Sequence, residues 1–539
     1  MAVPPGPAET QKQGETMSLE QGFDGRYPYN AVASTGLLKG VHARMSIASK
    51  LMVIAFVVFT VANVEFASGV FDGVKSWITS TLSWYYILMI SIFLLFSIWL
   101  AFSRYGHIRL GKDSDRPEFG NFSWFAMLFS AGMGNGVLFW SIAEPMYHLQ
   151  GNPFIEMAGT EANSALAAST AMLITAFHWG VHGWAVYVIV ALSLAYFAYR
   201  KGLPLSMRST LYPLIGDRIY GFWGHAADLL AIFGTIFGVA TTLGLGVQQM
   251  NTGLSLLTGI ANSTTNQIIL IAIVTGIATL SAVSGVSKGI RIISELNMWL
   301  TFAILAFFLF AGPTVYLLGQ FVNLVGNYVQ NFVPMGLWVD EEQGRQWQGW
   351  WTVFYWGWWI AWSPFVGLFI ARVSKGRTLR EFVVALLIVP PLVTMFLLAM
   401  FGGNAVSIEL QGAGGIIEAV NESPTLALYA TLEGMDVGLW GTAFAAIVTF
   451  LIASYFITSS DSGTLVICTM LAMGSQHPPR LVRIFWGVTE GVVASVLLVA
   501  GGLVALQTAS IAAALPFSIV ILLMMISLYK ALKEELPAK

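Results

Sequence analysis

The chain has 539 residues, 56% of them hydrophobic and only 10% charged, with a net charge of −2. A soluble domain carries about 25% charged residues, so a soluble globular protein is excluded, and the near-neutral balance argues against nucleic acid as a partner. The single cysteine, Cys468, lies in an apolar run, so there is no disulfide framework.

Residues 1–45 are polar (MAVPPGPAETQKQGETMSLEQG at the start) and lack a basic segment followed by an apolar one. They read as a cytoplasmic tail rather than a cleaved signal. Between 46 and 530 the chain is dominated by apolar runs of about 20 residues, the length that crosses a bilayer as a helix. Twelve are expected, over 47–70, 84–103, 122–147, 166–199, 223–256, 266–286, 297–319, 350–371, 382–403, 437–474, 484–503 and 507–529. A short cytoplasmic tail, 531–539, follows.

Orientation follows from the basic residues. With both termini on the cytoplasmic side, 24 of the 26 Lys and Arg fall inside, leaving only Lys75 and Arg345 outside. That is the bias of the positive-inside rule, and an odd number of spans would destroy it. The segment SKGIRIISELN (287–297) alternates charge and Ile at helical spacing, and is expected to be a short helix on the membrane surface.

Three interruptions point to chemistry. In FSAGMGNGVLFWSIAEP (129–145), Gly132, Gly134 and Gly136 stand at alternate positions, with Asn135 among them. Each Gly weakens a helix by about 1 kcal/mol relative to Ala, and unwound backbone at membrane depth survives where it lines protein or a wet cavity. A close helix crossing is the ordinary alternative, but it favours a spacing of four. The eighth span carries FYWGWWIAWSP (354–364), with Trp356, Trp358, Trp359 and Trp362. Trp350 and Trp351 fit an interfacial belt, whereas the later four run too deep for one. FHWGVHGWAVY (177–187) adds Trp179, Trp184 and Tyr187 beside Gly180 and Gly183. Two such clusters can cage a quaternary ammonium, whose attraction to a desolvated indole face is about 2 kcal/mol. His178 and His182 lie four apart but lack further metal ligands, so packed histidines are expected.

The third interruption is SYFITSSDSGT (454–464) in the tenth span, which places several hydroxyls at membrane depth. Back-bonding to the preceding turn explains one or two of them. Hydroxyls opposite an unwound helix also suit oxygen ligands for Na⁺. The intramembrane acids Glu65, Glu144, Asp228, Asp461 and Glu490 read as caps and pairs, with no chain of acids resembling a proton wire and no P-loop.

Together these segments, with WTVFYWGWWIAWSPFVGLFIARVSKGRTLREF (351–382), resemble the betaine/choline/carnitine transporter family over about residues 45–530. The resemblance implies an all-α, LeuT-like fold of twelve helices. Two leading helices precede inverted five-helix repeats, helices 3–7 (122–319) and 8–12 (350–529). It implies an aromatic box of Trp179, Trp184, Tyr187 and Trp359, with Trp358 and Trp362 along the permeation path and Trp356 beside them. Backbone N–H groups of Gly132, Gly134, Asn135 and Gly136 would meet a substrate carboxylate. A Na⁺ site maps onto the carbonyls of Ser130, Met133 and Tyr455 and the hydroxyls of Thr458 and Ser459, and Thr241 and Thr242 are candidates for a second. A homotrimer in the bacterial inner membrane is implied too. Osmotic activation is not expected, because the C-terminal tail is short.

The function expected is Na⁺-coupled import of a small methylated-ammonium or sulfonium zwitterion, glycine betaine first, with no cofactor besides the coupling ion and no enzymatic activity. The alternatives are a Na⁺-independent or H⁺-coupled carrier or exchanger for choline, carnitine or dimethylsulfoniopropionate, and, in another class, a passive channel.

Overall fold

The computed structural model describes residues 32–132, 135–284, 287–342, 346–475 and 477–536, and describes no side chains at 130–132, 135, 284 and 287–291. Its longer helices are labelled in chain order: α1 Ala43–Ala62, α2 Val64–Thr81, α3 Ser83–Phe102, α4 Asn121–Gly132, α5 Asn135–Gln150, α6 Ala165–Trp179, α7 Val181–Ala195, α8 Phe222–Thr258, α9 Thr264–Ser284, α10 Ser287–Ala311, α11 Thr314–Gly336, α12 Phe354–Val373, α13 Leu379–Gln411, α14 Leu439–Leu471 and α15 Arg480–Glu535. Among the described residues there is no strand. Ten helical segments among the described residues are long and apolar enough to cross a membrane, α6 and α7 counting as one. Neither α4 nor α5 is long enough alone. The 56-residue α15 is interrupted by non-helical backbone at Gly501 and Gly502, where Gly502, at φ 57°, takes a conformation that only glycine adopts cheaply.

Breaks in the apolar runs have local causes. The run at 47–70 is not one helix, because Asn63 ends α1 in extended backbone (φ −152°) and accepts the Phe66 N–H at 3.0 Å. Asn is among the preferred residues at such a start. The run at 166–199 divides at Gly180, which is extended at φ −92° and ψ −154°. Residues 287–297, expected as a separate surface helix, are instead the opening turns of α10. Pro313 sits at the N-terminal boundary of α11; with no N–H it cannot continue α10. Helix α11 was not anticipated. It is amphipathic, burying Leu317, Leu324, Tyr328 and Met335 while Val315, Val322 and Val329 are exposed.

The α6–α7 pair and the segment Gly349–Val373 are the most enclosed elements, each with 94% of its most apolar stretch buried. They pack against each other, and α8 packs against α12, α14 and α15 around them. On the basic side of the molecule the loop before α4 pairs with the loop after α12, through Leu110 N–H to Arg377 O and Gly376 N–H to Leu110 O, each at 2.8 Å. A buried ion pair, Arg208 to Asp228 at 2.5 Å, fixes the start of α8; Asp228 also accepts the Arg208 N–H at 2.9 Å and the Ser206 hydroxyl at 2.7 Å.

Candidate functional site

The two aromatic motifs come together at the centre. Trp179 ends α6, Trp184 and Tyr187 stand three apart on α7, and Trp359 approaches from α12. Ring centroids lie 6.1 Å apart for Trp179–Trp359, 5.9 Å for Trp184–Trp359, 4.9 Å for Tyr187–Trp359 and 5.5 Å for Trp184–Tyr187. None of the four rings is more than 5% exposed. Such desolvation is the condition under which an indole face attracts an onium group most strongly.

Glycines set the spacing. A Cβ on Gly183 would lie 2.4 Å from Cε2 of Trp359, so only glycine lets that indole reach α7. A Cβ on Gly136, in the first turn of α5, would lie 2.6 Å from Cη2 of Trp358 and 3.1 Å from Cη2 of Trp179. The first turn of α5 therefore abuts the aromatic cluster. Met133 and Gly134 lie outside the described residues, as do the side chains of Ser130, Gly132 and Asn135.

The break at Gly180 does more than turn the chain. The last carbonyls of a helix have no partner within it, and the freed carbonyl of His178 accepts the Trp359 indole N–H at 3.0 Å. On the other side of the break, the Tyr328 hydroxyl of α11 accepts the Val181 N–H at 2.8 Å. The residue between them must be glycine, since a Cβ there would sit 2.2 Å from that hydroxyl.

Trp358 and Trp362, one turn apart on α12, continue the aromatic column with centroids 6.4 Å apart, and Trp358 meets Trp179 edge-on at 6.0 Å. The buried indole N–H groups of Trp184, Trp358 and Trp362 have no acceptor among the described residues, so donors remain for a polar ligand atom. Trp356 turns elsewhere: its ring meets Phe177 at 5.3 Å and stacks on His182 at 6.0 Å. It lies behind the cage, not in it.

The hydroxyl motif of α14 is only partly committed. Thr458 bonds back to the carbonyls of Ser454 and Tyr455 at 3.2 and 3.1 Å. The Tyr455 phenol points to Thr301 at 2.8 Å, which leaves its carbonyl as the group nearest Thr458. Ser459 is half-buried. Thr241 is used structurally, tying α8 to α15 through the Leu506 carbonyl and the Ser510 hydroxyl, both at 2.8 Å. Thr242 bonds back to the Gly238 carbonyl at 3.2 Å.

Glu144, expected to be a cap or part of a pair, is paired and more: it is a hub. Its carboxylate accepts from His178 Nδ1 at 2.6 Å and Trp179 Nε1 at 3.3 Å, and also from the Tyr355 hydroxyl. His148 Nε2 stands 3.4 Å away. His178 thus pairs with Glu144 rather than with His182. Glu144, His148 and His178 offer ligand atoms within 4.8 Å of one another. Two ligands on tetrahedral zinc lie about 3.3 Å apart, so the 2.6 Å contact is a hydrogen bond rather than a metal geometry. The other buried acids are paired as expected, Glu490 with Ser460 at 2.9 Å and Asp461 with Ser281 at 3.3 Å.

A helical bundle with many candidate spans and a buried aromatic cluster at a helix break defines a multi-span membrane protein. Residues 44–537 match the model of the BCCT family, the betaine/carnitine/choline family transporters, and the chain belongs to that family. It is a transporter and not an enzyme. The chain is 44% identical over 492 residues to a probable glycine betaine transporter of Desulfitobacterium hafniense, covering 91% of this chain and 97% of that one. It is also 44% identical over 483 residues to a glycine betaine transporter of Bacillus subtilis, covering 89% and 92%. A glycine betaine/proline/choline/ectoine transporter of Vibrio parahaemolyticus is 42% identical over 502 residues, covering 91% and 87%.

Proposed function

We propose that this protein imports a small quaternary-ammonium or sulfonium zwitterion, glycine betaine first, coupled to Na⁺. The observation that carries the reading is the four-ring cage of Trp179, Trp184, Tyr187 and Trp359. It is buried, shaped by Gly183 and too apolar to suit a strongly hydrated cation. Backbone N–H groups between Gly132 and Gly136 take the carboxylate, and Trp358 and Trp362 line the path. Na⁺ is held by the carbonyls of Ser130, Met133 and Tyr455 with the hydroxyls of Thr458 and Ser459, joining the interrupted helix to α14. Occupancy of both sites biases one bundle to rock against the other, giving alternating access.

In this reading the α4–α5 pair crosses the membrane once and α15 crosses twice, giving twelve crossings. These comprise two leading helices and two LeuT-like inverted repeats, with both termini cytoplasmic in a bacterial inner membrane and three copies assembled. Uptake of labelled glycine betaine into proteoliposomes, with and without an inward Na⁺ gradient, tests the coupling. Accumulation only with the gradient is expected, whereas equal accumulation without it would replace symport by exchange or H⁺ coupling. Competition by choline, carnitine and dimethylsulfoniopropionate ranks the substrates, and glycine betaine should compete best.

A further inference from the structure

We infer that Glu144 is the positioning residue of the aromatic cage, fixing the indoles that α6 and α12 contribute through a single carboxylate. The inference rests on the cage being the substrate site. One arm is direct: the carboxylate accepts the Trp179 indole N–H at 3.3 Å, shared with the Tyr355 hydroxyl at 3.3 Å. The other arm passes through His178. Its Nδ1 lies 2.6 Å from Glu144, its Nε2 meets the Thr352 hydroxyl at 3.0 Å, and its ring stacks on Tyr355 at 4.7 Å and 15°. With its side chain held on three sides, His178 presents its backbone carbonyl to the Trp359 indole N–H at 3.0 Å. Tyr355, one turn before Trp359 on α12, is bound to Glu144 by its hydroxyl as well. Glu144 and His178 are both fully buried, so water cannot replace a lost partner. Loss of the carboxylate also releases the Tyr355 hydroxyl, the other acceptor of the Trp179 N–H, so that indole shifts and its face no longer meets the onium group.

Glutamine can reproduce this network. Its oxygen accepts from Trp179 and Tyr355, and its amide donates to His178 Nδ1 once the imidazole adopts its other tautomer. Alanine and aspartate cannot, the latter because the carboxylate retracts by one methylene.

The test is equilibrium binding of labelled glycine betaine to the purified full-length protein in Na⁺, well below each variant's melting temperature. Hydrogen bonds to a buried charge are lost at a cost of about tenfold or more in affinity, so Glu144→Ala and Glu144→Asp should bind at least about tenfold more weakly. Glu144→Gln should stay within about threefold of the parent, since neutral hydrogen bonds replace charged ones at modest cost. Trp179→Phe removes the indole N–H, and in a double-mutant cycle with Glu144→Asp the two losses should be strongly sub-additive. Additive losses, parental affinity in both Glu144→Ala and Glu144→Asp, or a loss in Glu144→Gln as large as in Glu144→Asp would each overturn the positioning role. A merely structural role would lower melting temperature without coupling to Trp179. Trp359→Ala separates the two readings. If it binds like the parent, the cage itself is not the site. If it loses binding while the Glu144 variants keep theirs, only the role of Glu144 fails.

Discussion

The indole N–H of Trp359 donates to the backbone carbonyl of His178 at 3.0 Å, so the helix that carries the densest tryptophans is pinned to the broken end of α6. A carbonyl becomes available there because the helix stops two residues later, at Gly180. The same break places Trp184 and Tyr187 on a new helix whose first turn faces Trp359. One irregularity in the backbone therefore both separates Trp179 from Trp184 and Tyr187 and anchors Trp359 against them.

Removing Trp359 should remove most of the specific binding. A desolvated cation–π contact is worth about 2 kcal/mol, or roughly 30-fold in affinity. Trp359→Ala is expected to raise the half-saturation constant for betaine uptake at least that much, and Trp359→Phe to fall between. Parental uptake by Trp359→Ala would remove the cage from the mechanism.

The glycine beside that indole should be almost as sensitive. Ala at position 183 would place its Cβ 2.4 Å from Trp359, and a buried ring cannot move aside without disturbing its neighbours. Gly183→Ala is expected to weaken betaine binding about tenfold by displacing the ring, since overpacking typically costs 1–3 kcal/mol. Gly69→Ala, at an exposed helical site with nothing within 4 Å of the added Cβ, should leave uptake unchanged and raise helix stability by up to about 1 kcal/mol. Equal behaviour of the two variants would contradict the close packing.

Tyr328→Phe isolates the other side of the break. It deletes the hydroxyl that accepts the half-buried Val181 N–H, and an unsatisfied donor costs up to about 1–3 kcal/mol. A lower melting temperature in detergent is expected, together with weaker betaine binding, since Trp179 precedes the break directly. An unchanged melting temperature would mean that Val181 finds another acceptor.

The Arg208–Asp228 pair is fully buried on both sides. Breaking such a pair from one side costs about 3–5 kcal/mol, whereas replacing both partners by apolar groups is often neutral. Asp228→Leu should sharply reduce the yield of folded protein, and adding Arg208→Met should recover much of it. Fluorescence-detected size exclusion distinguishes the two. A double variant no better folded than the single one would show that the pair is needed for more than charge neutrality.

Sodium dependence offers a separate check. Thr458 already bonds back to its own helix, so Thr458→Val would leave no buried partner stranded outside α14. If the threonine also binds Na⁺, the variant should fold normally yet need severalfold more Na⁺ for half-maximal uptake. An unchanged Na⁺ requirement would assign Thr458 to helix geometry alone.

Much of this protein could be read from composition and spacing, because lipid imposes those constraints on every residue. Apolar length marks the membrane helices, and the Lys and Arg distribution predicts their orientation. The residues of the cage were legible too, as two aromatic clusters each beside a glycine. Sequence spacing places a side chain on its own helix but carries no information about which neighbour that face meets. Trp356 and Trp359 stand three apart, yet one packs against His182 and the other against Tyr187. The fold also decided that Glu144, 34 residues from His178, shares a hydrogen bond with it, and that Gly180 breaks a run that hydropathy alone draws as continuous. Such outcomes depend on which buried donors and acceptors can satisfy one another across helices, and only the packed structure brings those partners within reach.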